Sequence, residues 1–185
     1  MKATAFIVGP LDGPGAALKD MAQQLEFLSV APYAGLAQAE HQSTLTPMCF
    51  FLFAAVSDVT SLRGVADAIR FSSNRRVRFC PLIYFSESPQ VETISRCINM
   101  GFDDVITMPF TLSRVRDRIG RQLGQRLTYY ETAGYFGPDR RDPAGLPKRS
   151  AEPQPGSQFR RIEIIRSLTA GVSVVRDDPY PLQAG

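Results

Sequence analysis

Few residues in this chain combine the type and spacing that chemistry requires. Gly9-Pro-Leu-Asp-Gly-Pro-Gly15 is a glycine-rich turn between an apolar run and a helical pattern. Such turns can offer backbone N–H groups to a phosphate. Here Pro10 and Pro14 remove two donors, and the spacing is neither Gly-x-Gly-x-x-Gly nor a Walker motif. A plain connecting turn is the favoured reading, with Asp12 as a capping or solvated residue. His41 is the only histidine, and no partners for a triad or zinc site stand near it in sequence. It is expected at the surface. Cys49, Cys80 and Cys97 are odd in number, form no Cys-x-x-Cys pair and lie in apolar surroundings. They read as small buried hydrophobes. Asp103 and Asp104 are expected on the solvated side of a strand, without a chemical role.

Arginines are the more promising group. Arg114, Arg118 and Arg121 share one face of a helical pattern, with Arg116 and Arg126 nearby. Val115, Ile119 and Leu123 form the adjoining apolar stripe, so a solvated outer helix competes with a partner surface. Tyr129-Tyr-Glu-Thr-Ala-Gly-Tyr-Phe-Gly-Pro-Asp-Arg-Arg141 combines four aromatics with an arginine pair. Arg140 and Arg141 suit a phosphate or carboxylate. Tyr135 and Phe136 could anchor in a partner's groove or pack back on the domain.

The elements that must position these residues follow from periodicity. Strands are predicted at Ala3–Val8, Ser29–Tyr33, Met48–Val56, Phe79–Phe85 and Asp104–Met108. Helical spacing or helix signals fall at 15–27, 35–41, 61–71, 89–100 and 113–127, with Ser113 as a cap. Strands alternating with helices predict an α/β, doubly wound five-stranded parallel sheet of order 2-1-3-4-5. From 128 to 158 the composition shifts: Thr132–Ser157 holds five Pro and four Gly. That predicts a linker without regular structure. Residues 159–185 carry two β-type runs that could pair as a hairpin, which would need something to dock on.

Gly101-Phe-Asp-Asp-Val-Ile-Thr-Met-Pro-Phe110 and Cys80-Pro-Leu-Ile-Tyr-Phe-Ser86 resemble the last two strands of the CheY-like response-regulator receiver family. The likeness spans residues 3–125 in element order. It implies a phosphoacceptor Asp ending the third strand, an acid pair after the first that helps hold a divalent cation, a Lys before Pro-Phe, and a Ser/Thr hydroxyl. Carried onto this chain, the acid pair falls on Gly9 and Pro10, the acceptor on Ala54, the Lys on Met108 and the aromatic switch position on Val105. Only Ser86 keeps its type. A methyl group cannot accept phosphate, and a hard cation needs oxygen ligands. The resemblance therefore implies a degenerate pseudo-receiver: no enzyme, no cofactor, no metal.

The expected partners are signalling proteins, with a homodimer through the fourth helix, fifth strand and fifth helix as one contact. Two rivals remain: a conventional phosphoacceptor using Asp58, and a nucleic-acid binder using the basic fifth helix and the C-terminal extension. Residues 1–111 hold eight Lys/Arg against ten Asp/Glu, and residues 112–185 hold thirteen against eight, within a net charge of +3. That modest excess favours neither rival. No apolar run approaches the roughly 18 residues of a membrane span, and the first run is too short for a secretory signal. The cytoplasm is the expected location.

Overall fold

The computed structural model describes residues 1–140 and 158–180. Five short strands, β1 (Thr4–Val8), β2 (Ser29–Pro32), β3 (Cys49–Phe53), β4 (Leu82–Ser86) and β5 (Asp104–Thr107), form a parallel sheet of order β2-β1-β3-β4-β5. This is the flavodoxin-like order predicted from the alternation. β1, β3 and β4 are buried along their whole length, as expected of strands covered on both faces. Phe6 stacks on Phe51 at 5.4 Å, and Phe53 meets Phe102 edge-on at 4.6 Å.

The helices are α1 (Gly13–Gln24), α2 (Leu36–Leu45), α3 (Arg63–Arg70), α4 (Arg75–Arg78), α5 (Val91–Asn99) and α6 (Leu112–Gly120). A 3₁₀ turn, Val59–Leu62, precedes α3. The short α4 was not anticipated; Asn74 caps it by accepting from the Arg76 amide at 3.0 Å. α6 is capped by Thr111 rather than Ser113, its hydroxyl accepting from the Arg114 amide at 3.2 Å. The helix also stops at Gly120, well short of residue 127. A turn ending at Gly124, with φ +73°, redirects the chain into a strand.

That strand opens a second sheet. β6 (Arg126–Glu131), β7 (Phe136–Pro138), β8 (Phe159–Ser167) and β9 (Gly171–Tyr180) pair antiparallel in the order β7-β6-β8-β9. The expected hairpin is present as β8 and β9. The expected unstructured stretch is not irregular throughout: its aromatic start supplies two strands. Alternation explains why. Leu127 and Tyr129 face the inside with Ile162 and Ile164, a period-two pattern spread over segments far apart in sequence. Residues 141–157 and 181–185, including Arg141, lie outside the described residues.

The second sheet docks on the amino edge of the first. Phe79, just before β4, sits among Tyr129, Phe136, Ile162 and Ile164. A Cβ on Gly101, just before β5, would collide with the Phe136 carbonyl, and one on Gly171 would lie 2.6 Å from that of Pro47, just before β3. The carboxyl edge of the parallel strands stays uncovered by this sheet.

Candidate functional site

In doubly wound folds, ligands bind outside the carboxyl ends of the strands. At that edge the Ala54 amide donates to the Val8 carbonyl at 2.9 Å, which seats Ala54 beside the end of β1. Its methyl is buried, and a Cβ built on Gly9 would stand 3.3 Å from it. Gly15 packs under the Pro10 carbonyl, where a side chain would clash, so the first turn of α1 lies close over the edge. Gly9, Pro10 and Ala54 lie close together at this edge, and none carries a side-chain oxygen. The residues present do not fit a divalent cation, which needs several oxygen ligands. Among the described residues, no cluster of three or more His, Cys, Asp or Glu could hold a metal ion.

Ser86 ends β4, but its hydroxyl donates to the Ser88 carbonyl at 2.7 Å, within its own loop. Met108, just past β5, is half exposed, and its amide donates to the Ser86 carbonyl at 2.9 Å. The Met108–Pro109 bond is cis. Val105 is partly buried against the main core. Between α1 and the ends of β4 and β5 lies a cavity of about 400 Å³. Pro14, Ala17, Leu18 and Met21 line one side; Phe85, Met108 and Phe110 line the other, with Ser86 and Glu87.

Asp58 does not face this cavity. It is 60% exposed and caps the 3₁₀ turn, accepting from the Thr60 amide at 2.9 Å and hydroxyl at 2.6 Å. The Thr60 hydroxyl and amide lower its carboxyl below the ordinary value, with Arg96 adding to the effect. Its outward, capping position counts against the Asp58 phosphoacceptor reading. His41 is exposed, and all three cysteines are buried, as expected.

Asp103 and Asp104 correct the expectation most sharply. Both are buried. Asp104 forms an ion pair with Arg118, which is thereby drawn away from a free basic face. Asp103 is the hub of a buried network at the junction of the two sheets. It accepts from Arg70 at 2.5 Å, from Arg166 at 2.8 Å, from the Leu82 amide at 2.8 Å, and from the Tyr129 hydroxyl. Burial pushes its pKa up, but Arg166, Arg70 and Tyr129 outweigh that and hold the carboxyl far below the usual range. Burial also raises the Tyr129 hydroxyl above its ordinary value. Arg70 is saturated by carbonyls of Gly101, Arg78 and Cys80. Arg166 donates to the Phe79 carbonyl at 2.7 Å and to Gln122 at 3.1 Å.

The other partner candidates divide. Phe136 is core to the second sheet, with the Arg78 guanidinium 4.2 Å from its ring centroid. The Tyr135 hydroxyl donates to the Pro138 carbonyl at 3.2 Å, and Arg140 donates to the Phe102 carbonyl at 2.6 Å. Phe136 and Arg140 fasten the extension to the domain, while Tyr135 braces the extension on itself. Arg114 on α6 and Arg121 at its C-terminal cap remain exposed. In the second sheet, Arg126 and Arg161 pair with Glu163, Arg160 with Asp177, and Arg176 with Asp178. Their charges are matched locally, which weakens the case for a basic nucleic-acid stripe. No helix among the described residues is long and apolar enough to cross a membrane.

No family model and no curated protein match the chain. Solved structures similar to it include a CheY-like protein, TadZ, from Pseudomonas aeruginosa PAO1. The identity is 17% and the TM-score 0.47, over 64% of this chain and 98% of that one. A second is the receiver domain of a sensor histidine kinase from the same organism, at 19% identity and a TM-score of 0.46, covering 64% and 94%. A third is a CheY-like receiver domain protein from Methanospirillum hungatei JF-1, at 20% and 0.45, covering 66% and 94%. The chain's own strand order defines a flavodoxin-like, doubly wound domain, here with an antiparallel sheet on its amino edge.

Proposed function

We propose that this chain is a phosphorylation-independent pseudo-receiver, acting as a protein-interaction adaptor or regulator in bacterial two-component signalling. One observation carries the reading. Where a receiver needs an acceptor and cation ligands, Ala54 is enclosed beside Gly9 and Gly15, and the adjoining cavity is apolar. Phosphoryl transfer depends on charge stabilisation by a metal and a cationic side chain. Met108 supplies no charge, and Ser86 is engaged in its own loop. The domain keeps the sheet and the α5–β5–α6 surface, corresponding to the predicted fourth helix, fifth strand and fifth helix. Exposed Arg114 and Arg121 on that surface suit an acidic partner.

Incubation of the full chain with a radiolabelled small phosphodonor and magnesium tests the reading. No acid-labile acyl phosphate is expected, and Asp58→Asn should change nothing. Stoichiometric labelling anywhere in residues 1–125 would refute it.

A further inference from the structure

The cavity at the carboxyl edge has features that a merely inert pocket does not need. Its volume of about 400 Å³ falls within the range of small-molecule sites, roughly 300–1,000 Å³. Its walls are apolar, and Met21 and Met108 are side chains that adapt to irregular ligands. Phe85 and Phe110 meet edge-to-face at 5.5 Å, presenting aromatic surface to the space. Only two lining residues have polar side chains. The Ser86 hydroxyl is engaged with the Ser88 carbonyl, and the exposed Glu87 makes no ion pair with any described Lys or Arg. The lining holds one carboxylate and no cation.

We infer that this cavity binds a small amphiphilic cation, with an aliphatic or aromatic body against Met21, Phe85 and Phe110 and its ammonium at Glu87. An apolar body gains from leaving water. A positive head gains from the carboxylate at the mouth. An anion of the same shape meets Glu87 with like charge and finds no compensating guanidinium or ammonium. The site lies on the same edge as the reading above and deepens it. Phosphoryl labelling tests that reading and ligand titration tests this one, so either can fail alone.

The test is an NMR titration of the full chain with three ligands sharing one body: 3-phenylpropylammonium, 3-phenylpropanol and 3-phenylpropionate. Amide shifts are expected at Ala17, Met21, Phe85 and Met108, with the ammonium binding at least about tenfold tighter than the carboxylate. Glu87→Gln should reduce that preference to within about twofold while keeping the alcohol's affinity. Ala17→Phe, on an exposed part of α1, should fill the space and abolish all three sets of shifts, leaving the β6–β9 amides in place. Absence of cavity shifts with the ammonium overturns the inference. So does equal affinity for all three ligands, which would instead mark the cavity as a seat for a partner's apolar side chain. Glu87→Gln decides the matter even where Ala17→Phe does not fold.

Discussion

Asp103→Ala should be among the most damaging single substitutions in this protein, although the residue is polar and precedes a strand. The carboxylate is 2% exposed and serves Arg70 and Arg166, which are themselves buried. Breaking a buried pair by removing one partner costs about 3–5 kcal/mol, because the remaining charge is left unmatched. Here two guanidiniums lose their counter-ion, and the Leu82 amide and Tyr129 hydroxyl lose an acceptor. The loss should lie at the top of that range, about 5 kcal/mol, against a typical domain stability of about 5–15 kcal/mol. Urea unfolding followed by far-UV circular dichroism, with near-UV tyrosine signals for the second sheet, measures it; the chain has no tryptophan. Asp103→Asn should recover part of the loss through the retained acceptor, but not the charge. Joint replacement of Asp103, Arg70 and Arg166 by apolar residues should cost less than Asp103→Ala alone, since desolvation of all three charges disappears. A loss below about 1 kcal/mol for Asp103→Ala would mean that water or another group satisfies both arginines, and the network argument would fall.

Acid should act through the same carboxylate. Its folded pKa is depressed, so its contribution is fully present above the unfolded value, about 3.9, and is lost as pH falls from there toward the folded one. The stability gap between the native chain and Asp103→Asn should therefore narrow below about pH 4, as melts at stepped pH would show. Phe136→Ala should cost about 3–5 kcal/mol, the usual price of emptying a buried phenylalanine site, and should speed hydrogen exchange in β6 and β8. Gly101→Ala should weaken the junction too, because φ is +80° and its Cβ would meet the Phe136 carbonyl; a shared melting transition that splits in two would reveal it. Ending the chain at Gln125 should destabilise the remaining domain rather than merely shorten it, since Tyr129, Phe136 and Arg166 would be gone from Asp103 and Phe79; an unchanged midpoint would count against this.

The parallel sheet was legible because β1, β3 and β4 are continuous apolar runs, and the connecting helices announce themselves by spacing. Ala54 and Met108 could be placed because Pro109-Phe110 and the strand ends fix the register nearby. The second sheet was harder. Its strands pair across a long gap, and Pro and Gly between them suggest a linker when read locally. Arg166 was nonetheless visible in principle: it keeps the period-two phase of Ile162 and Ile164, and so occupies a buried position. Arg70 gave a similar signal, adjoining Ile69 on the apolar side of a helix where a solvated charge is out of place. Neither arginine could be paired with Asp103 from sequence, because nothing local states that the amino edge of one sheet meets the face of another. Asp103 and Asp104 look alike in the chain. Register with β4 sends one to the hub and the other to Arg118.

This arrangement divides the domain's two edges by chemistry. The amino edge is where charge has been concentrated and buried: Arg70, Asp103 and Arg166 with Tyr129, closed over by the second sheet. The carboxyl edge, where doubly wound folds place ligands, has a methyl group, a thioether and aromatic rings instead. A network with several satisfied donors and acceptors is rigid and specifies one docking geometry. An apolar cavity walled partly by methionines is adaptable. β4 and β5 span both edges: their amino ends carry the hub, and Phe85, Ser86 and Met108, at or just past their carboxyl ends, line the cavity. Two strands thus begin at a charged lock and end beside a hydrophobic opening.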